Sequence, residues 1–315
     1  MTAAAANTEH TGRLRRWLSS DIVYEFRRSP IAMVAAAFAL ALAVAALFAP
    51  WIAPIDASNP ATANVVDARL PPGAVGLFGD RYLLGTDPQG RDLLSALLYG
   101  LRLSLTVGLA SVGLAAFVGI VLGLLAGYFG GLLGATIMRL ADVQLSFPAI
   151  LIALLVDGIS RTVMDRATHE QLAVVVIIVA IAASYWVQYA RTVRGLVLVE
   201  RNKEYVLAAR ITGVSTPRIL LTHVLPNVLG PVLVIATINL ALAILTEATL
   251  SFLGVGVPPT QPSLGSLVRV GNEFLFSGDW WISVLPGTVL VILSLAVNIL
   301  GDWLRDALNP KLAGS

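Results

Sequence analysis

Residues Leu103–Tyr128 read LSLTVGLASVGLAAFVGIVLGLLAGY, a run without one charged side chain. An α-helix rises 1.5 Å per residue, so roughly 20 apolar residues cross the hydrocarbon core of a bilayer. This run is long enough to span a membrane as one helix. Five more candidate spans lie around it, at about Ile31–Ile52, Met138–Val156, Leu172–Ala190, Val228–Leu245 and Ile282–Leu300. The third is the least regular, with Asp142 and Gln144 in its first turns and Pro148 near its middle. Proline is tolerated there when neighbours satisfy the freed carbonyl. The expectation is an all-α membrane protein with six transmembrane helices.

Composition agrees. The 315-residue chain is 57% hydrophobic and 13% charged, against roughly 25% charged in a soluble domain. It has no cysteine, which excludes disulfides and thiolate metal or redox sites. No basic block is long or aromatic-rich enough for nucleic acid. Fourteen of the 21 Lys and Arg fall on one side if the N-terminus is cytoplasmic, which predicts an N-in, C-in topology. The first apolar run exceeds the 7–15 residues of a signal-peptide core, so it reads as an uncleaved span. Ahead of it, Leu14, Leu18, Ile22 and Phe26 recur at i+4 with Trp17 beside them, the pattern of a short interfacial helix. Residues 1–30 are therefore expected to be a cytoplasmic tail and amphipathic helix, 31–312 the membrane domain, and 313–315 a tail. A first external segment is expected at about 54–102.

Within the second span Gly119, Gly123, Gly127 and Gly131 recur at strict i+4 spacing, a small-residue face that lets another backbone approach. Between spans four and five, residues 191–227 form a polar cytoplasmic segment patterned as two short helices. The first should end near Thr212 with Gly213 as the stop. Thr216 is the expected N-cap and Pro217 the first helical residue of the second, which Pro226 should end. Ala209 and Gly213 would let a partner approach this knob closely.

The stretch Ala208–Ala209–x3–Gly213–x9–His223–x–Leu225–Pro226 resembles the EAA loop of ABC importer permeases, with Leu207 in place of the namesake Glu. The preceding Tyr205 and the following Arg210 resemble the peptide-permease branch. So do LGTDPQGRDLLSALLYGLRLSL (Leu84–Leu105), DVQLSFP (Asp142–Pro148), EATLSFLGVG (Glu247–Gly256) and GDWLRDALNPKL (Gly301–Leu312). Together they are similar to the C-type subunit of the dipeptide/oligopeptide/nickel family. The resemblance implies a type I ABC importer permease fold in the bacterial inner membrane. It also implies docking of an ATPase on the loop that carries Tyr205, Ala208, Ala209, Arg210, Gly213, Thr216, Pro217, His223 and Pro226. The implied partners are a homologous B-type permease in a heterodimer, two ATP-binding subunits, an extracytoplasmic binding protein and the lipid bilayer. No cofactor is expected on this chain, because ATP and Mg would be used by the partner subunits. Peptides, glutathione-like peptides, nickel chelates and opines all remain open as substrate.

The residues bear on the chemistry directly. Lys203 follows Asn202 and Lys311 follows Pro310, so neither lies in a Walker A loop, and ATP must be hydrolysed elsewhere. His10, His169 and His223 fall on a tail, the outer side and the inner side, which leaves no catalytic triad or metal site and argues against a membrane enzyme. Arg91 and Asp92 are expected to form local ion pairs. Glu247, with Ser251 and Phe252, is a pathway or gate candidate, weighed evenly against a plain interhelical hydrogen bond. The competing function is a proton-coupled secondary transporter working through Asp142, Asp157 and Glu247. It lacks the internal repeat such carriers show and leaves the cytoplasmic knob unexplained.

Overall fold

The computed structural model describes residues 21–57, 59–258 and 261–307. Among these the chain is helical, with two isolated β-bridges, Val75–Arg81 and Thr86–Asp92, in its one long irregular segment. The helices are α1 Asp21–Arg28, α2 Pro30–Leu47, α3 Ala49–Ile52, α4 Leu93–Tyr128, α5 Gly131–Leu145 and α6 Ala149–Val163. They continue with α7 Arg166–Glu200, α8 Glu204–Ile211, α9 Thr216–Ile219, α10 Leu225–Phe252, α11 Leu264–Asn272 and α12 Trp281–Ala307. Five helices or helix runs are long and apolar enough to cross a membrane, and the bent pair α5–α6 makes a sixth if counted as one span.

The central pair is α4 and α7. Helix α4 has 36 residues, about 54 Å at 1.5 Å per residue, so it overshoots a hydrocarbon core of roughly 30 Å. Its glycines set the spacing to α7. A Cβ on Gly123 would stand 2.7 Å from Ala190 O and from Val193 Cβ, and one on Gly127 2.7 Å from Val197 Cβ. A Cβ on Gly119 would collide with Tyr189 Cβ and Trp186 O. Gly131 does not share this face. Helix α4 stops at Tyr128, and Gly131 opens α5 at φ 53° with open space beside it. The i+4 register ends because the helix ends.

The expected third span, Met138–Val156, is two helices bent by 96°, with the break at Ser146–Pro148. Proline lacks an N–H, clashes with the preceding turn and drives the residue before it out of the α region. Side chains hold the bend against α7. Trp186 Nε1 donates to Gln144 Oε1 at 2.7 Å, Gln144 Nε2 donates to Ala183 O, and Ser184 Oγ donates to Ala149 O at 3.0 Å.

Pro226 does not end a helix. The run Thr216–Phe252 is continuous, passing through a π-helical turn at Leu220–Val224 in which Leu225 N–H bonds back to Leu220 O. Pro226 follows directly after the π turn, within the continuous run. Ser215, not Thr216, is the N-cap of α9, and Pro217 lies within its first two residues. The irregular segment ends at Asp92, so the last ten residues of the expected external stretch, through Arg102, already belong to α4.

Of the expected interfacial helix, Leu14, Trp17 and Leu18 lie outside the described residues. The Phe26 ring meets Trp303 edge-on at 5.1 Å. The tails 1–20 and 308–315, with Asn309 and Lys311, also lie outside.

Two apolar cores divide the molecule. One runs along α4 and α7 and, at the end carrying α8–α9, takes in Val197, Val206 and Ile219. The other lies under the irregular segment and packs Leu93, Leu101, Ile244, Leu264 and Ile282 around α11. These are called the hairpin end and the crown end below.

Candidate functional site

At the hairpin end α8 stops in a Schellman motif. Gly213 takes φ 78°, Val214 N bonds to Ala209 O at 3.0 Å, and Gly213 N to Arg210 O at 3.1 Å. A glycine is needed because a Cβ is disfavoured in the left-handed region. Nothing lies within 4 Å of where that Cβ would be, so the tip of the hairpin is open space.

Everything below the tip is fastened. The Tyr205 hydroxyl donates to Glu200, the last residue of α7, and accepts from Asn227 Nδ2 at 3.0 Å. Its ring stacks on His223, with centroids 6.4 Å apart and planes 23° apart. Burial and the bond to Glu200 push the Tyr205 phenol up to about 12. Asn227 Nδ2 also donates to His223 O at 2.6 Å, and Lys203 pairs with Glu200 at 2.8 Å. Two arginines tie the hairpin to α4. Arg201 donates to Gly127 O and Tyr128 O at 2.8 and 3.1 Å, capping the carbonyl end of that helix. The Arg210 guanidinium lies 5.4 Å from the Tyr128 ring centroid and bonds its hydroxyl at 3.2 Å.

The hairpin's two faces differ. Val206, Ala209 and Ile219 point into the chain's own core, while Ala208, Gly213 and Pro217 are exposed and Ile211 is 86% exposed. Ala209 therefore does not meet a partner directly. With Val206 at i−3 it belongs to the inward stripe of an amphipathic helix, and the outward small residues are Ala208 and Gly213.

The crown end is built by the GTDPQGRD stretch. Asp87 is fully buried and accepts from Gln89 N at 2.8 Å, Arg91 N at 3.0 Å and Arg91 Nε at 2.7 Å. Asp92 has no ion pair among the described residues. It caps α4, accepting from Ser95 N at 2.8 Å and Ser95 Oγ at 2.6 Å. Asp67 accepts from Leu77 N at 2.8 Å, Asn64 Nδ2 at 2.8 Å and Tyr82 Oη at 3.1 Å. Burial and Asp67 push the Tyr82 phenol up to about 12.

Glu247 is 0% exposed. Ser104 Oγ of α4 donates to it at 2.7 Å and Ser251 Oγ at 2.8 Å. Leu264 N, the first N–H of α11, reaches Ser104 Oγ at 3.4 Å. Glu247 and the buried Ser251 thus join α4 and α10 at the start of α11. Phe252 is 41% exposed at the end of α10.

Against known proteins, residues 119–314 match the family described as "binding-protein-dependent transport system inner membrane component". Residues 18–72 match the N-terminal TM domain of oligopeptide transport permease C. The chain belongs to this permease family. It is 41% identical to the di/tripeptide transport system permease protein DppC of Pseudomonas aeruginosa, over 87% of this chain and 86% of that one. It is 37% identical to the dipeptide permease DppC of Haemophilus influenzae, over 92% and 93%. It is 34% identical to the oligopeptide permease OppC of Bacillus subtilis, over 98% and 95%. An inward-facing crystal form of the MetNI methionine ABC transporter shares the fold. Its TM-score is 0.54 at 21% identity, and the match covers 69% of this chain and 98% of that one.

The permease is thus a multi-pass inner-membrane subunit of an ABC importer. Its family works with separate ATP-hydrolysing subunits and a substrate-binding protein. The three carboxylates of a proton carrier are not gathered in it. Asp142 pairs with Arg191, Asp157 with Arg161 and Glu247 with serines. Glu200, Arg201 and Asn227 carry the hairpin's stiffness, and the sequence alone does not single them out. The available signal is Arg201, placed directly after a helix end.

Proposed function

We propose that this chain is one half of the translocation path of an ATP-driven importer of peptides, paired with a homologous B-type permease. The hairpin end lies in the cytoplasm and docks on an ATPase subunit through Ala208, Gly213, Thr216 and Pro217. The crown end faces the extracytoplasmic binding protein. One observation carries this reading: the hairpin is tied to the ends of both α4 and α7, yet its tip at Gly213 faces open space. A displacement imposed on the tip would therefore reach the two central membrane helices rather than dissipate in a loop. The substrate class comes from the peptide permeases that this chain resembles along most of its length.

The test is uptake of radiolabelled dialanine into vesicles carrying the whole importer and its binding protein. Uptake should require ATP and survive collapse of the proton gradient. Uptake that stops with an uncoupler while ATP is held constant would refute ATP-driven import.

A further inference from the structure

A cavity of about 380 Å³ opens at the crown end, where the α6–α7 turn meets the loop after α10. Arg161, Arg166, His169 and Glu170 line one side, and Gly254, Gly256, Val257 and Pro258 the other. Arg161 Nε is held by Asp157 Oδ2 at 2.6 Å and Arg166 Nε by Glu170 Oε1 at 3.0 Å. Each guanidinium is oriented along its Nε edge, and its Nη groups have no partner among the described residues. That leaves two forks of donors across one turn, a geometry suited to a planar carboxylate. His169 lines the same cavity and is 6% exposed. Its Nε2 is buried and faces the Asp157 carboxylate, 3.3 Å from Oδ1.

We propose that Arg161 and Arg166 form a carboxylate-binding site on the crown end of the permease, which receives the carboxylate of the incoming solute. That the solute is a peptide rests on the function proposed above; the site itself requires only a small carboxylate. The cavity is concave and polar, and Glu170 gives its rim an opposite charge for the ammonium of a zwitterion.

The test uses the whole importer in nanodiscs without its binding protein, by ligand-observed saturation-transfer NMR. The probes are acetate and dialanine, with acetamide and dialanine amide as neutral controls. Acetate and dialanine should show saturation transfer and the amides should not. Loss of a charge-assisted fork in R161Q should weaken the acetate signal of assembled complexes about tenfold. Should R161Q fail to assemble, R166Q carries the test, because that side chain is 93% exposed. Equal signals from acetate and acetamide, or an acetate signal indifferent to both R161Q and R166Q, would overturn the site. An arginine-dependent acetate signal without dialanine uptake in vesicles would keep the site and remove the peptide reading.

Discussion

Asn227 Nδ2 donates to Tyr205 Oη at 3.0 Å and so ties the first helix of the hairpin to the base of α10. The same hydroxyl donates to Glu200 at the end of α7. One phenol therefore connects three helices at the point where the hairpin leaves the membrane bundle.

Tyr205→Phe removes that bridge and leaves Glu200 and Asn227 without a partner they now share. A hydrogen bond to a charged group contributes about 1.5–3 kcal/mol. The variant should insert normally but transmit poorly, with ligand-stimulated ATP hydrolysis lowered by about three- to tenfold at unchanged basal rate. The phenol's pKa is raised to about 12, so the bridge contributes fully below the ordinary tyrosine value of about 10 and is lost only as pH climbs through 12. Wild-type coupling should consequently show no Tyr205-dependent step between about pH 6 and 9. Assays of reconstituted complexes across that range check both points.

The α4–α7 seam should be intolerant of bulk. Gly123→Val places side-chain atoms where Ala190 O and Val193 already stand, and overpacking of this kind costs about 1–3 kcal/mol. Detergent-solubilised complex should melt earlier and yield less. Gly113→Ala on the same helix meets nothing within 4 Å and should be neutral or slightly stabilising. Equal melting temperatures for the two variants would mean that the seam does not depend on its glycines.

Glu247 bonds Ser104 and Ser251 in the packed seam, so its substitution should act first on stability. Glu247→Gln keeps an acceptor for Ser104 and should retain most uptake. Glu247→Ala leaves buried hydroxyls without their partner and should destabilise the subunit by about 1–3 kcal/mol. Thermal melting together with vesicle uptake separates this from a gating role, in which both variants would lose transport at unchanged stability.

Topology follows from the same assignment. Reporter fusions at Asp67, Glu170 and Glu273 should read as extracytoplasmic and one at Lys203 as cytoplasmic. A cytoplasmic signal at Glu170 would put the Arg161 cavity on the wrong side for an incoming solute.

Much of this architecture can be read along the chain, because long uncharged runs have few solutions other than a membrane helix. The helix stop at Gly213 is equally legible, since its signal is local. The break at Pro148 is not, because a proline can be absorbed or can bend a span, and the choice depends on neighbours. Here Gln144 reaching Trp186 across 42 positions of sequence favours the bend. Glu247 shows the same limit. Its partner Ser104 lies 143 residues away, so the contact shows only in the packed bundle. Ala209 is ambiguous in the sequence because small residues suit a partner surface and a tight core alike; its i−3 neighbour Val206 marks it as inward.

The most direct test of the account is Gly213→Asp in the reconstituted importer, compared with Gly278→Asp. Both glycines have positive φ, 78° and 98°, and at neither would an added Cβ have an atom within 4 Å. The conformational cost of about 1–2 kcal/mol is therefore shared, but Gly278 lies at the crown end. Gly213→Asp should insert normally, lose ATPase co-purification and lower ligand-stimulated hydrolysis by about tenfold or more, since a desolvated charge would prop the two surfaces apart. Gly278→Asp should do neither. Wild-type co-purification and wild-type stimulated hydrolysis in Gly213→Asp would contradict the hairpin's role as the link between ATPase and membrane path.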